Sequence, residues 1–89
     1  MKYDIYLTTV AQSDARFFER SGLKAVQSKI VRLLNDIAAH PYTGIGKPEI
    51  LRGNLSGCMS RRINKEHRII YSVDDERRDV TVLSLKGHY

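Results

Sequence analysis

Apolar and polar positions alternate loosely at the start of the chain. Tyr3, Ile5 and Leu7 fall on one side, and Asp4, Tyr6 and Thr8 on the other. This period of two predicts a strand with one buried face over residues 3–9. A short helix is predicted over residues 11–20, capped by Ser13 or Thr9. Its candidate core residues are Ala11, Ala15, Phe18 and Phe17. Gly22 ends it or turns the corner into the next helix. Leu23, Val26, Ile30, Leu33, Leu34 and Ile37 then recur at spacings of three and four, with Lys24, Gln27, Ser28, Arg32, Asn35 and Asp36 on the other side. That pattern is an amphipathic helix of about 17 residues, stopped by Pro41.

Residues 40–57 hold Pro41, Gly44, Gly46, Pro48, Gly53 and Gly57. Glycine and proline at this density prescribe turns rather than helix. Within them a short strand is predicted at 49–52 and a turn at 54–57. Three strands follow. Met59, Arg61 and Ile63 share one face of the first, and Cys58, Ser60 and Arg62 the other. A turn at 64–66 leads to the second, where Arg68, Ile70 and Ser72 oppose Ile69, Tyr71 and Val73. A polar turn at 74–77 leads to the last, over residues 79–85. Short hairpins in succession imply an antiparallel meander. Helices before hairpins give an α+β class, with a strand and two helices packed on a mainly antiparallel sheet.

The chain has 89 residues, enough for one small domain with a modest core. Its single cysteine, Cys58, excludes an internal disulfide framework and a multi-cysteine zinc site, and reads as an inert half-buried thiol. No apolar run approaches the length of a membrane span or a signal-peptide core, so a soluble, cytoplasmic protein with no membrane partner is expected. Lys and Arg number 15 against 10 Asp and Glu, for a net charge of +5. This favours polyanionic partners without naming one. Distribution says more than the total. Between residues 47 and 68 six basic residues, Lys47, Arg52, Arg61, Arg62, Lys65 and Arg68, stand against Glu49 and Glu66.

Such a segment suits phosphate chemistry. Cleavage of RNA by its own 2′-hydroxyl needs a base, an acid for the leaving oxygen, and cations around the phosphate. Glu49, His67, His88, Tyr71, Tyr89 and the arginines could supply them. Arg61 and Arg68 are attractive because a guanidinium grips two phosphate oxygens at once. The turn at 64–66 would bring residue 61 or 62 close to 68. Each residue also has a plainer reading. Glu49 beside a proline is an ordinary surface acid, His67 beside a turn is a structural hydrogen-bonding group, and the last four residues are a frayed end. The three histidines are not at zinc spacing, and Gly44-Ile45-Gly46-Lys47 is no phosphate loop.

The motifs Gly44-Ile45-Gly46-Lys47-Pro48-Glu49, Leu51-Arg52, Asn54-Leu55-Ser56-Gly57, Ser60-Arg61-Arg62-Ile63 and Glu66-His67-Arg68-Ile69-Ile70-Tyr71 follow in order, and the chain ends Gly87-His88-Tyr89. Together they resemble the Txe/YoeB family of bacterial toxins, within the RelE/ParE superfamily. The resemblance is dense over residues 40–89 and rests on element order before that. It implies one RelE-like toxin domain over residues 1–89. It also implies a ribosome-dependent mRNA endonuclease that cuts the message in the ribosomal A site and stops translation. A YefM/Phd-type antitoxin would silence it, and the pair would bind operon DNA through the antitoxin. Carried onto this chain, the general base falls on Glu49, the catalytic arginine on Arg68, the general acid on His88 and the terminal aromatic on Tyr89. Lys47, Arg52, Arg61, Arg62 and Lys65 would position RNA and contact the ribosome. No metal or other cofactor is implied. The tail must then fold back beside the central hairpin.

The chain departs from the family at Met59, where relatives carry tryptophan, and at Gly87, where some carry tyrosine; neither change removes a proposed acid or base. The polar side of the helix pair is either solvated or a surface for antitoxin or a homodimer. The alternative function is a ParE-like inhibitor of DNA gyrase, which would have no need of Glu49 and His88.

Overall fold

A computed structural model describes residues 2–87. His88 and Tyr89, the expected acid and aromatic, lie outside the described residues. The chain runs β1 (Asp4–Leu7), α1 (Thr9–Ser21), α2 (Lys24–Ala39), β2 (Glu49–Ile50), β3 (Cys58–Arg62), β4 (Arg68–Asp74) and β5 (Asp79–Ser84), with a 3-10 turn at Gly53–Leu55. The strands form one sheet in the order β1-β5-β4-β3-β2. The last four make the antiparallel meander that the hairpins predicted, and β1 adds to it in parallel beside β5. The class is α+β.

Helix α1 starts two residues earlier than its apolar pattern suggested. Thr8 is the cap, not Ser13 or Thr9: its Oγ1 accepts from Ala11 N–H at 3.1 Å and donates to the Leu83 carbonyl at 2.9 Å. One hydroxyl thus satisfies an orphan helix amide and ties the helix start to β5. Thr8→Ala is expected to cost about 1 kcal/mol, with a range of 0.5–2; a urea midpoint unmoved from the parent would contradict this. At its other end α1 stops on Gly22, whose φ of +67° belongs to the left-handed region open to glycine.

Both helices cover the same face of the sheet. Ala11, Phe18, Ile30, Leu33 and Ile37 meet Met59, Ile69, Tyr71, Val80 and Val82 in one buried cluster. The predicted stripe of α2 holds except at its first member. Leu23 precedes the helix and is exposed, because α1 has already turned away at Gly22. Phe17 also stays half exposed, edge-on to Phe18. The opposite face of the sheet carries Glu49, Ser60, Arg62, Arg68 and Ile70, since cross-strand partners share a face.

Candidate active site

Residues 40–48, between α2 and β2, decide where Glu49 sits. Their backbone is held from beneath by Arg61. Its Nη1 donates to Asp36 Oδ2 at 2.7 Å and to the Ile45 carbonyl at 2.9 Å, and its Nη2 donates to the carbonyls of His40 at 2.6 Å and Thr43 at 2.9 Å. Its Nε donates to Tyr71 Oη at 3.0 Å, and that hydroxyl donates onward to the Pro41 carbonyl at 2.6 Å. All five guanidinium protons are used. Arg61 is fully buried. It is therefore not free to contact RNA or the ribosome, the role that the resemblance implied for it; its side chain points to the helix side of the sheet and is spent on the loop. The outward arginine is Arg62, one residue on, because neighbours in a strand point to opposite faces.

The loop is tied at three further points. Asp36 Oδ2 also accepts from Ile45 N–H at 3.1 Å. A Cβ at Gly44 would collide with that same carboxylate oxygen, so the loop's approach requires glycine there. On the outside, Tyr42 and Tyr3 both donate to Asp75 in the β4–β5 turn, at 2.5 and 2.6 Å. Donating to that anion pushes the Tyr42 phenol up to about 12. Arg62 N–H donates to the Gly46 carbonyl at 2.6 Å, and Lys47 takes a φ of +52°, uncommon for a lysine. Pro48 and Glu49 then enter β2 alongside β3.

The Arg61 guanidinium beside Asp36 holds its carboxyl below the ordinary 3.8. Tyr3 and Tyr42 likewise hold Asp75 low. A carboxylate depressed in the folded state stabilises it above the unfolded pKa, and that stability is lost as pH falls through the folded value. The urea midpoint is expected to fall as pH drops below about 4, with a shallower fall in Asp36→Asn. Parallel pH profiles for the two chains would contradict this.

Glu49 pairs with Ser60 on β3, Ser60 with Ile70 on β4, and Arg62 with Arg68. The turn at 64–66 thus sets residue 62, rather than 61, against 68. Arg68 Nη1 lies 3.8 Å from Glu49 Oε1, with the arginine side chain 24% and the glutamate 56% exposed. The charges attract, but the gap is too long for a hydrogen bond. Among the described residues neither side chain has a hydrogen-bond partner, which leaves their donors and acceptors open to a third group. Lys47, Arg62 and Lys65, with Lys29 from α2, line an open pocket of about 450 Å³, linked to Arg68 through its strand partner Arg62. Lys29 was not singled out in the sequence, where it is one more cation on a helix. Arg52 is exposed beyond β2 and is not among the residues of this pocket.

The chain after β5 returns to this place. Leu85 is buried, and its N–H donates to Asp14 Oδ2 at 2.9 Å. The Lys86 ammonium sits 3.9 Å above the Phe17 ring. Gly87 N–H donates to His67 Nδ1 at 2.8 Å, and the Gly87 carbonyl accepts from Arg68 N–H at 3.1 Å. Through Gly87 the tail is therefore not frayed but lies against the start of β4. The arrangement offers a half-exposed carboxylate, a guanidinium near it, a basic pocket reached through Arg62, and Gly87 alongside Arg68.

Comparison with known proteins gives the family. The family model described as "YoeB-like toxin of bacterial type II toxin-antitoxin system" matches residues 7–89. The chain is 42% identical over 85 residues to Toxin YoeB of a Synechocystis strain, covering 96% of this chain and 95% of that protein. Two solved structures from Staphylococcus aureus align over the whole of both chains. One is a heterotetrameric YoeB–YefM toxin–antitoxin complex, at 40% identity and a TM-score of 0.84; the other is a YoeB dimer, at 39% and 0.86. With the family model matched over residues 7–89 and a relative 42% identical over nearly the whole of both chains, the chain belongs to the YoeB-like toxins of bacterial type II toxin–antitoxin systems.

Proposed function

We propose that this toxin is a ribosome-dependent, metal-independent endoribonuclease that cuts mRNA in the ribosomal A site and so blocks translation. The observation that carries the reading is the approach of Arg68 on β4 to within 3.8 Å of Glu49 on β2, across the intervening β3, with Gly87 held against Arg68. Glu49 takes the proton of the substrate 2′-hydroxyl, and the 2′-oxygen attacks the phosphorus. Arg68 binds the phosphate and offsets its growing charge. The bond to the 5′-oxygen breaks, and His88 gives that oxygen a proton. The products are a 2′,3′-cyclic phosphate and a 5′-hydroxyl. Tyr89 stacks on a base or orients the phosphate. Lys47, Arg62 and Lys65, joined by Lys29, hold the RNA backbone or ribosomal RNA through phosphate contacts, and exposed Arg52 extends that surface.

The partners proposed with this activity are a YefM/Phd-type antitoxin, operon DNA through that antitoxin, and a second copy of this chain. The test is the purified chain with a defined mRNA, with and without programmed ribosomes, mapping the cut ends. Cuts inside A-site codons only with ribosomes support the reading. Well-folded protein that cuts in neither condition sinks it, and inhibition of gyrase supercoiling then becomes the assay.

A further inference from the structure

We infer that His67 is a positioning residue that seats the chain end against the Glu49–Arg68 pair; this rests on the cleavage reading above. Its Nδ1 takes the Gly87 N–H at 2.8 Å, while the next residue, Arg68, gives its own N–H to the Gly87 carbonyl at 3.1 Å. The peptides on both sides of Gly87 are thus fixed by two adjacent residues. An amide N–H can only donate, so the ring is held with Nδ1 as acceptor and its proton on Nε2. Nε2 faces Glu66 Oε2 at 3.9 Å, too far for a hydrogen bond.

The ring is itself firmly placed. It packs edge-on against Phe18, with centroids 5.0 Å apart and planes at 78°, and Phe18 is part of the core. The His67 backbone closes the β3–β4 turn: its carbonyl accepts from Ile63 and Asn64, and its N–H donates to Asn64 Oδ1 at 2.8 Å. A core aromatic therefore orients the ring, and the ring orients the tail. Gly87 has a φ of +78°, so the chain bends at the point where His67 grips it. Residue 88 follows within one peptide unit, about 3.8 Å between Cα atoms. Gripping Gly87 therefore limits how far the proposed acid can stray from the phosphate held by Arg68. Misplacing a reacting group by about 1 Å can cost about 10²-fold in rate.

Two variants separate the acceptor from the packing. His67→Phe keeps a ring against Phe18 but has no acceptor. His67→Asn loses the ring but returns an oxygen near the place of Nδ1. The readouts are single-turnover cleavage on programmed ribosomes, giving a maximal rate and a half-saturating toxin concentration, and hydrogen exchange at the Gly87 amide. The expected result is a maximal rate about 10- to 100-fold lower in His67→Phe, with half-saturation within about twofold. The Gly87 amide should exchange at least about tenfold faster in that variant, and His67→Asn should recover most of both losses. A His67→Phe chain that cleaves at the parent rate, or that loses ribosome affinity instead, overturns the inference. So does a Gly87 amide unprotected in the parent. If the parent cuts no RNA, the cleavage reading fails, while the exchange data still decide whether His67 holds the tail.

Discussion

Glu49→Gln is expected to slow A-site cleavage by about 10²- to 10⁴-fold while leaving ribosome binding and the thermal transition close to those of the parent. Glutamine keeps the shape and one oxygen but cannot take the 2′-hydroxyl proton. Glu49 is half exposed, and its partner Arg68 stands at 3.8 Å without a hydrogen bond. Exposed pairs of that kind contribute at most about 1 kcal/mol, so little stability is at stake. Arg68→Ala is expected to cost a comparable factor of about 10²–10³ by removing the charge beside the developing phosphate. Single-turnover kinetics on programmed ribosomes measure both. A Glu49→Gln chain that cuts at the parent rate would remove the general base from the mechanism and with it the principal role assigned to this site.

Arg61→Met is expected to cost about 3–5 kcal/mol of folding stability, as loss of one partner from a buried ionic network does. Methionine fills much of the volume but leaves the Asp36 carboxylate, the Tyr71 hydroxyl and the carbonyls of His40, Thr43 and Ile45 without their donor. Arg61→Lys should recover only part, because an ammonium lacks the planar fork that reaches five acceptors. Activity should fall as well, since the loop so anchored leads directly into Glu49. The contrasting expectation, that Arg61 grips RNA, predicts weaker ribosome binding with an unchanged urea midpoint. Equilibrium unfolding of the two variants decides between them. A midpoint equal to the parent's would show that the loop does not depend on this side chain.

The neighbouring arginines show where sequence reading stops. Arg61 and Arg62 are the same residue type in one basic stretch, and both suit a phosphate. Their difference depends on which face of β3 meets the helices, and on acceptors 10 to 25 positions away in sequence. No local pattern carries that information. His67 is similar. Beside a turn it reads as a hydrogen-bonding residue, which it is, but its partner at Gly87 is 20 positions away.

What the sequence by itself determined is what depends on near neighbours. The period of two in the strands, the spacing of three and four in α2, the stops at Gly22 and Pro41, and the tight turns at 64–66 and 74–77 are local preferences, and they specified the elements and the meander. The ordered motifs from Gly44 to Tyr71 identified the family and pointed to Glu49 and Arg68. Only the tertiary structure decided that β1 joins β5 in parallel, that Arg61 faces inward, and that the tail is held at Gly87. These are pairings across long separations in the chain. They exist because buried donors and acceptors must find partners wherever the packed sheet and helices bring them together.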